Sequence, residues 1–171
     1  MQELGYKERR ANALQRATWL FSSSRLGAWL FSKSLHHVDR ALMRLTKGRV
    51  TMAGAVAGLP IITLVTTGAK SGKRRESPLV GVPIGDDLAV VGTSFGQTTT
   101  PSWWFNLRAN PDVEVVYRDR SAKALAREAD ADEHAAVFAR ASTLYSGYEK
   151  YADRITDRPI HIAVLEQVER A

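Results

Sequence analysis

The chain reads as an α+β protein, mainly antiparallel β, folded as an antiparallel sheet or small barrel with flanking helices. Two observations point there. Short runs rich in Val, Ile, Leu and Thr recur with tight turn signals such as Gly85-Asp86-Asp87 and Asp119-Arg120-Ser121 between them. Long helical periodicity is confined to the first 50 residues and to one segment after Asp130. A length of 171 residues suits one domain with a proper core.

The elements follow in order. Residues 7–21 and 25–46 are expected to be helical, because Leu20, Gly27, Phe31, Leu35, Val38, Leu42 and Leu45 share one stripe. Ser22-Ser23-Ser24 interrupts that pattern and Gly48 ends it. Residues 51–60 read as a loop. Strands are expected at Ile61–Thr67, at Glu76–Ile84 and, across Gly85-Asp86-Asp87, at Leu88–Thr93. After the polar loop Ser94–Thr100, a short helix Ser102–Ala109 is expected, with Thr100 as N-cap and Pro101 in the first turn. Val113–Arg118 and Ala122–Ala129 form a further hairpin. Asp130 caps a helix running to about Leu144, with Glu133 in its first turn. Ile160–Leu165 closes the chain as a sixth strand. The organisation expected is an N-terminal helical extension, 1–49, and a barrel domain, 50–171.

Composition narrows the function. Without Cys there is no disulfide framework, thiol nucleophile or Cys-based zinc site. The four His residues, 36, 37, 134 and 161, pair with no carboxylates at metal-ligand spacing, so no metal is expected. No G-x-S-x-G elbow supports a hydrolase. No apolar run is long enough to span a bilayer and no signal peptide is recognisable, which makes the cytoplasm the expected compartment. The net charge of +6 divides unevenly: residues 1–50 hold ten Lys/Arg against three Asp/Glu, and the rest of the chain is near neutral. A basic extension without a reading motif argues against a nucleic-acid partner. Trp19, Phe21, Trp29 and Phe31 interleave with Arg16, Arg25, Lys33, Arg40 and Arg44 there. That mixture suits a helix packed on the core or a peripheral helix at the inner face of an anionic membrane.

Three clusters carry candidate chemistry. The first is Thr66–Pro78, TTGAKSGKRRESP, where a strand empties into a loop with two glycines and four cations. Flexible backbone N–H groups and positive charge make a seat for an anion, though a solvated basic hairpin has the same composition. It is not a nucleotide phosphate loop, because Gly68 and Gly72 are one residue too close and Arg74 stands where Ser or Thr would hold magnesium. The second is Pro101–Leu107, which offers indole rings beside the Asn106 amide, or else a core Trp103 and Leu107 with a surface Asn106. The third is Tyr145, Tyr148 and Tyr151, whose spacing of three suggests one helical face with hydroxyl tips.

Taken in order, these stretches resemble the deazaflavin (coenzyme F420)-dependent nitroreductase and quinone reductase family. The resemblance rests on T-T-G-x-K-S-G-x-x-R-x-x-P at Thr66–Pro78 and P-x-W-x-x-N-L-x-A-N-P at Pro101–Pro111. It extends to Y-x-x-Y-x-x-Y at Tyr145–Tyr151 and T-x-R at Thr156–Arg158, and covers residues 50–168. It implies a split β-barrel, related to flavin-mononucleotide-binding barrels, with coenzyme F420 in an open groove. By resemblance, Lys70, Ser71, Gly72 and Arg75 hold the cofactor's phosphate, and Lys73 or Arg74 attracts its oligoglutamate tail. Pro78 sits against the ring, Thr93 and Ser94 face its reactive side, and Trp103 and Asn106 line the site. Ser94, Tyr145, Tyr148 and Tyr151 are the implied catalytic donors.

The activity implied is hydride transfer from the reduced cofactor to a quinone, an activated enone or a nitro-compound, by a monomer or weak oligomer. The chain departs from the pattern at Ala69, where many relatives carry Arg, at Phe95, where some carry Lys, and at Val80, where some carry an aromatic residue. The first two departures remove cations near the phosphate. They give weight to a non-catalytic cofactor or fatty-acyl carrier as an alternative, and a flavin mononucleotide-dependent reductase is a further one.

Overall fold

The computed structural model describes residues 4–6 and 58–168. The helical readings over 7–21 and 25–46, and nearly all of the 1–49 extension, lie outside those residues. Seven strands form one antiparallel sheet: β1 Ile61–Thr67, β2 Arg74–Val80, β3 Val82–Ile84, β4 Asp87–Val91, β5 Asp112–Tyr117, β6 Arg120–Glu128 and β7 Ile162–Gln167. Among the described residues three α-helices accompany it, α1 Ser102–Ala109, α2 Ala131–Leu144 and α3 Gly147–Ala152. The strand order is β2-β1-β5-β6-β7-β4-β3, every neighbour antiparallel. The sheet curls until β2 lies against β4 without pairing. This is a split β-barrel.

The single strand expected over Glu76–Ile84 is instead two strands, and they end on opposite edges of the sheet. β2 pairs with β1, placing Pro78 opposite Thr63, while β3 pairs with β4, placing Pro83 opposite Leu88. The break falls at Gly81, whose N–H donates to the Pro60 carbonyl at 3.1 Å. A Cβ there would meet Ile62 at 3.1 Å and Tyr6 at 3.2 Å. Glycine lets the chain leave one edge and cross to the other. Both prolines are then tolerated, since an edge strand has N–H positions that need no partner.

Two cores hold the barrel, and strand alternation assigns residues to each. Leu88 and Val90 of β4, with Ala163 and Leu165 of β7, face an interior shared with Ile62, Leu64, Val115 and Trp103. Their neighbours Ala89, Val91 and Ile162 face outward under Val137 and Ala141 of α2 and the three tyrosines. Both faces of these strands are therefore buried. In β6 only one face is, by Ala122, Ala124 and Ala126. Leu4 also belongs to the interior core at 2% exposure. Tyr6 donates its hydroxyl to the Gly81 carbonyl and lies 5.2 Å from the Tyr117 ring. The start of the chain is thus pinned to the barrel.

α2 begins as its sequence requires. The Asp130 carboxylate accepts from Glu133 N–H at 2.9 Å and the Glu133 carboxylate accepts from Asp130 N–H at 3.0 Å, a reciprocal capping box. Arg127 grips the same Glu133 with two bonds of 2.6 Å and reaches Glu166 at 2.6 Å, tying α2 to β6 and β7. Other boundaries shift. β4 stops at Val91 and β7 starts at Ile162, two residues after expectation. The N-cap of α1 is Pro101, with no side-chain cap, so Thr100 does not serve.

Candidate active site

The basic loop between β1 and β2 is built on its own backbone. Gly72 N–H and Ser71 N–H both donate to the Gly68 carbonyl, at 2.8 and 3.2 Å, and Gly68 N–H donates to Lys73 O at 2.9 Å. Gly72 supplies the left-handed φ of 63° that closes the turn. The Ser71 hydroxyl accepts from Lys73 N–H and from Arg75 Nη2, each at 3.4 Å, which gathers Arg75 over the loop. Lys70, Lys73 and Arg75 are exposed. Arg74 differs from them. It is held by Glu114 at 2.9 Å and Glu76 at 3.2 Å. The Glu114 hydrogen bond raises its pKa, and the same bond lowers that of Glu114.

α1 fixes this loop through Asn106, which is 8% exposed. Its Oδ1 accepts from Ala69 N–H at 3.0 Å and its Nδ2 donates to Thr66 Oγ1 at 3.0 Å. The amide is therefore turned onto the loop's own backbone. Trp103 and Leu107 are core residues, and Trp104 is buried too, stacked on His161 at 4.3 Å and 13°. Trp103 backs Gly92, where an added Cβ would lie 3.5 Å from the indole and 2.9 Å from the His161 carbonyl.

After Gly92 the chain enters a left-handed turn, with φ of 47° at Ser94, 57° at Phe95 and 76° at Gly96. Two consecutive non-glycine residues in that region cost on the order of 1–3 kcal/mol each. Arg158 meets this cost with all five of its N–H donors. They reach the carbonyls of Gly92 at 3.1 Å, Thr93 at 3.2 Å, Gln97 at 2.9 and 3.2 Å, and Pro159 at 3.1 Å. T-x-R was visible in the sequence, but nothing in the spacing revealed what the guanidinium holds.

The far side of the turn rests on the tyrosines. Phe95 meets Tyr151 edge-on at 6.2 Å, and Gly96 lies so close that a Cβ would sit 3.3 Å from Tyr151 Cα. Tyr145, Tyr148 and Tyr151 do not share one helical face. Tyr145 is the extended C-cap of α2, while Tyr148 and Tyr151 belong to α3. They converge because the chain bends at Ser146-Gly147. A Cβ on Gly147 would stand 2.2 Å from the Tyr145 ring, so only glycine admits that bend. The Tyr145 and Tyr151 hydroxyls are 3.1 Å apart. Burial pushes the pKa of Tyr148 and of Tyr151 upward, keeping both protonated well past neutrality.

Loop, α1, turn and tyrosines therefore follow one another along one arc: the loop meets Asn106 through Thr66 and Ala69, α1 carries both Asn106 and Trp103, Trp103 backs Gly92, and Phe95-Gly96 rest on Tyr151, which meets Tyr145. Among the described residues no group of three His, Asp or Glu is placed to hold a metal, and no helix is long and apolar enough to cross a membrane.

Comparison with known proteins identifies the family. Residues 36–167 match the family model of F420H(2)-dependent quinone reductases. The chain belongs to that family. It is 33% identical over 132 residues to an F420H(2)-dependent quinone reductase of Mycobacterium tuberculosis, covering 73% of this chain and 85% of the relative. A solved F420-H2-dependent reductase superposes with a TM-score of 0.58 at 38% identity, over 63% of this chain and 94% of the other. A structure described as a domain-swapped dimer superposes at 0.60 with 33% identity, over 77% and 98%. The F420H(2)-dependent quinone reductase family is one of oxidoreductases, and its cofactor is coenzyme F420.

Proposed function

We propose that this chain binds reduced coenzyme F420 along the arc and passes its reducing equivalents to a quinone. The observation that carries the reading is the contact chain joining an exposed cationic loop to a strained turn and a tyrosine wall. Lys70, Lys73 and Arg75 are exposed with their charge gathered round Gly68–Gly72, which fits a phosphate. The Ser71 hydroxyl, which can still donate its own hydrogen, completes that seat, while the amides of Gly68, Ala69, Ser71, Gly72 and Lys73 are engaged in holding the loop's shape. Arg74 is engaged by two carboxylates, so Lys70 and Lys73 are the better candidates for the anionic tail. Pro78, at the edge in β2, and Thr93-Ser94 in the turn bracket the ring, with Trp103 and Asn106 acting from behind.

When bound, the reduced cofactor supplies a hydride to an electron-poor acceptor. The protein's share is to expose one ring face, hold the acceptor over it and meet negative charge developing on the acceptor's oxygen. Ser94 and the paired Tyr145 and Tyr151 hydroxyls have donors suited to that oxygen, with Tyr148 closing the wall. Burial of the three tyrosines excludes water there, and the raised pKa values of Tyr148 and Tyr151 keep those two as donors rather than phenolates.

Activated enones and nitro-compounds present the same developing charge and belong in the substrate panel. The test is anaerobic oxidation of reduced F420 by menadione, an enone and a nitroarene, with and without protein. Catalysed oxidation with menadione supports the reading. Tight cofactor binding with no oxidation across the panel supports a carrier instead. Contact with lipid through the basic, aromatic N-terminal segment is part of the same proposal. Because Leu4 and Tyr6 pack on the barrel, truncation would damage the fold. Replacing Trp19, Phe21, Trp29 and Phe31 together by Ser, with co-sedimentation on anionic vesicles, is the cleaner test, and undiminished sedimentation would remove the lipid contact.

A further inference from the structure

Arg158 has no part in the function proposed above, yet its hydrogen bonds to the turn have a directional consequence. A trans peptide points its C=O and its N–H in opposite directions, and no peptide bond among the described residues is cis. By drawing the carbonyls of Gly92 and Thr93 toward itself, the guanidinium turns the next amides, Thr93 N–H and Ser94 N–H, to the opposite side. Among the described residues no acceptor pairs with either amide, although Thr93 is buried. Buried backbone N–H groups without a partner are rare in folded proteins. The carbonyl on the other end of the Ser94 peptide accepts twice, from Arg158 and from Gly96 N–H at 2.9 Å.

Resting on the reading above, we propose that Arg158 is a positioning residue: it holds the Gly92–Gln97 turn left-handed, so that the Thr93 and Ser94 amides stand as a pair of donors to the bound ring. Three features favour this over a role in stability alone. The cation makes no carboxylate ion pair among the described residues; its five N–H donors are spent on backbone carbonyls, four of those bonds reaching the turn. The turn it holds is the strained one at the site, and the other non-glycine residue with positive φ among the described residues, Arg118, lies in an exposed hairpin turn. A cation at the carbonyl end of a peptide also polarises that peptide and strengthens its N–H as a donor. Arg158 touches no substrate in this scheme; it acts through the amides.

The test combines variants with a measurement on the unaltered protein. In wild type labelled with nitrogen-15, oxidised F420 should shift the Thr93 and Ser94 amide signals downfield, together with those of Gly68–Arg75. Arg158→Met should lower kcat by about 100-fold, the scale of a small misplacement in a positioned site. Its affinity for the cofactor should fall less, because the exposed cations still hold the phosphate. Added guanidinium chloride at low concentration should restore part of the lost rate to Arg158→Met and none to wild type. Arg158→Lys keeps the charge but cannot span three carbonyls, and should resemble Arg158→Met. Overturning results are Thr93 and Ser94 amides that stay still while Gly68–Arg75 shift, or a folded Arg158→Met or Arg158→Lys with wild-type kcat. If neither variant folds, the amide shifts decide. A wild type that neither binds nor oxidises reduced F420 would instead refute the function proposed above, so the two failures are distinguishable.

Discussion

Replacing Asn106 by Ala should separate two things that its side chain does at once. The amide is buried and makes two hydrogen bonds of 3.0 Å, one to the loop backbone at Ala69 and one to the Thr66 hydroxyl. Truncation leaves Ala69 N–H without its acceptor, at about 1–3 kcal/mol for an unsatisfied donor, and removes a second bond worth about 0.5–1.5 kcal/mol. The sum, about 1.5–4.5 kcal/mol, corresponds to a fall in Tm of roughly 3–18 °C for a chain of this length. The loop should open as well, since Ala69 N–H is its tie to α1. Thermal unfolding by circular dichroism reads the first effect and titration of F420 ring fluorescence reads the second. Asn106→Asp is the control that parts them. A carboxylate still accepts from Ala69, and the Thr66 hydroxyl can rotate to donate to it, so both bonds persist. It also sets a negative charge beneath a loop meant for an anion, and affinity should fall whatever the stability does. An Asn106→Ala variant with unchanged Tm and unchanged affinity would refute the reasoning.

Further expected outcomes follow from the same geometry. Gly147→Ala drives a methyl into the Tyr145 ring and should destabilise by about 1–3 kcal/mol, as overpacking does, with loss of turnover and a changed near-ultraviolet circular dichroism spectrum. Lys70→Ala combined with Lys73→Ala should weaken cofactor binding by about 2- to 30-fold, given about 0.2–1 kcal/mol for each exposed charge. The effect should shrink as ionic strength rises, read by the same fluorescence titration. Arg127 holds the Glu133 carboxyl down to about 2 from its ordinary 4.5. A depressed carboxylate stabilises the fold above pH 4.5 and loses that contribution as pH falls toward 2, so Glu133→Gln should flatten the decline of Tm over that window. Leu4→Ala should cost about 3 kcal/mol, typical of a truncated core leucine, in urea unfolding.

How much of this was legible in the sequence depends on whether local or distant residues decide each feature. The bounds of α1 and the N-cap of α2 were legible, because Pro101, Asn110-Pro111 and Asp130 set them locally. The break at Gly81 was not, because the reason for it is Ile62 and Tyr6, residues distant in the chain. The same holds at the site. Cations and glycines in Thr66–Pro78 announce an anion seat by composition. The pairing of Arg74 with Glu114 and of Asn106 with Ala69 spans about forty residues and leaves no local trace. The tyrosines were read as one helical face from their spacing, yet they meet across a bend that Gly147 permits. The left-handed Ser94-Phe95 turn had no signal at all, since neither residue favours that conformation and its support, Arg158, lies some sixty positions later.

The most direct measurement is a crystal structure of the protein soaked with oxidised coenzyme F420. Phosphate density against Lys70, Ser71 and Arg75, with the ring over Thr93 and Ser94 and one edge toward Tyr145 and Tyr151, is the expected result. Cofactor density elsewhere, such as the groove of about 460 Å³ beside His134, Phe138 and Ser142 on α2, with the basic loop left bare, would contradict it.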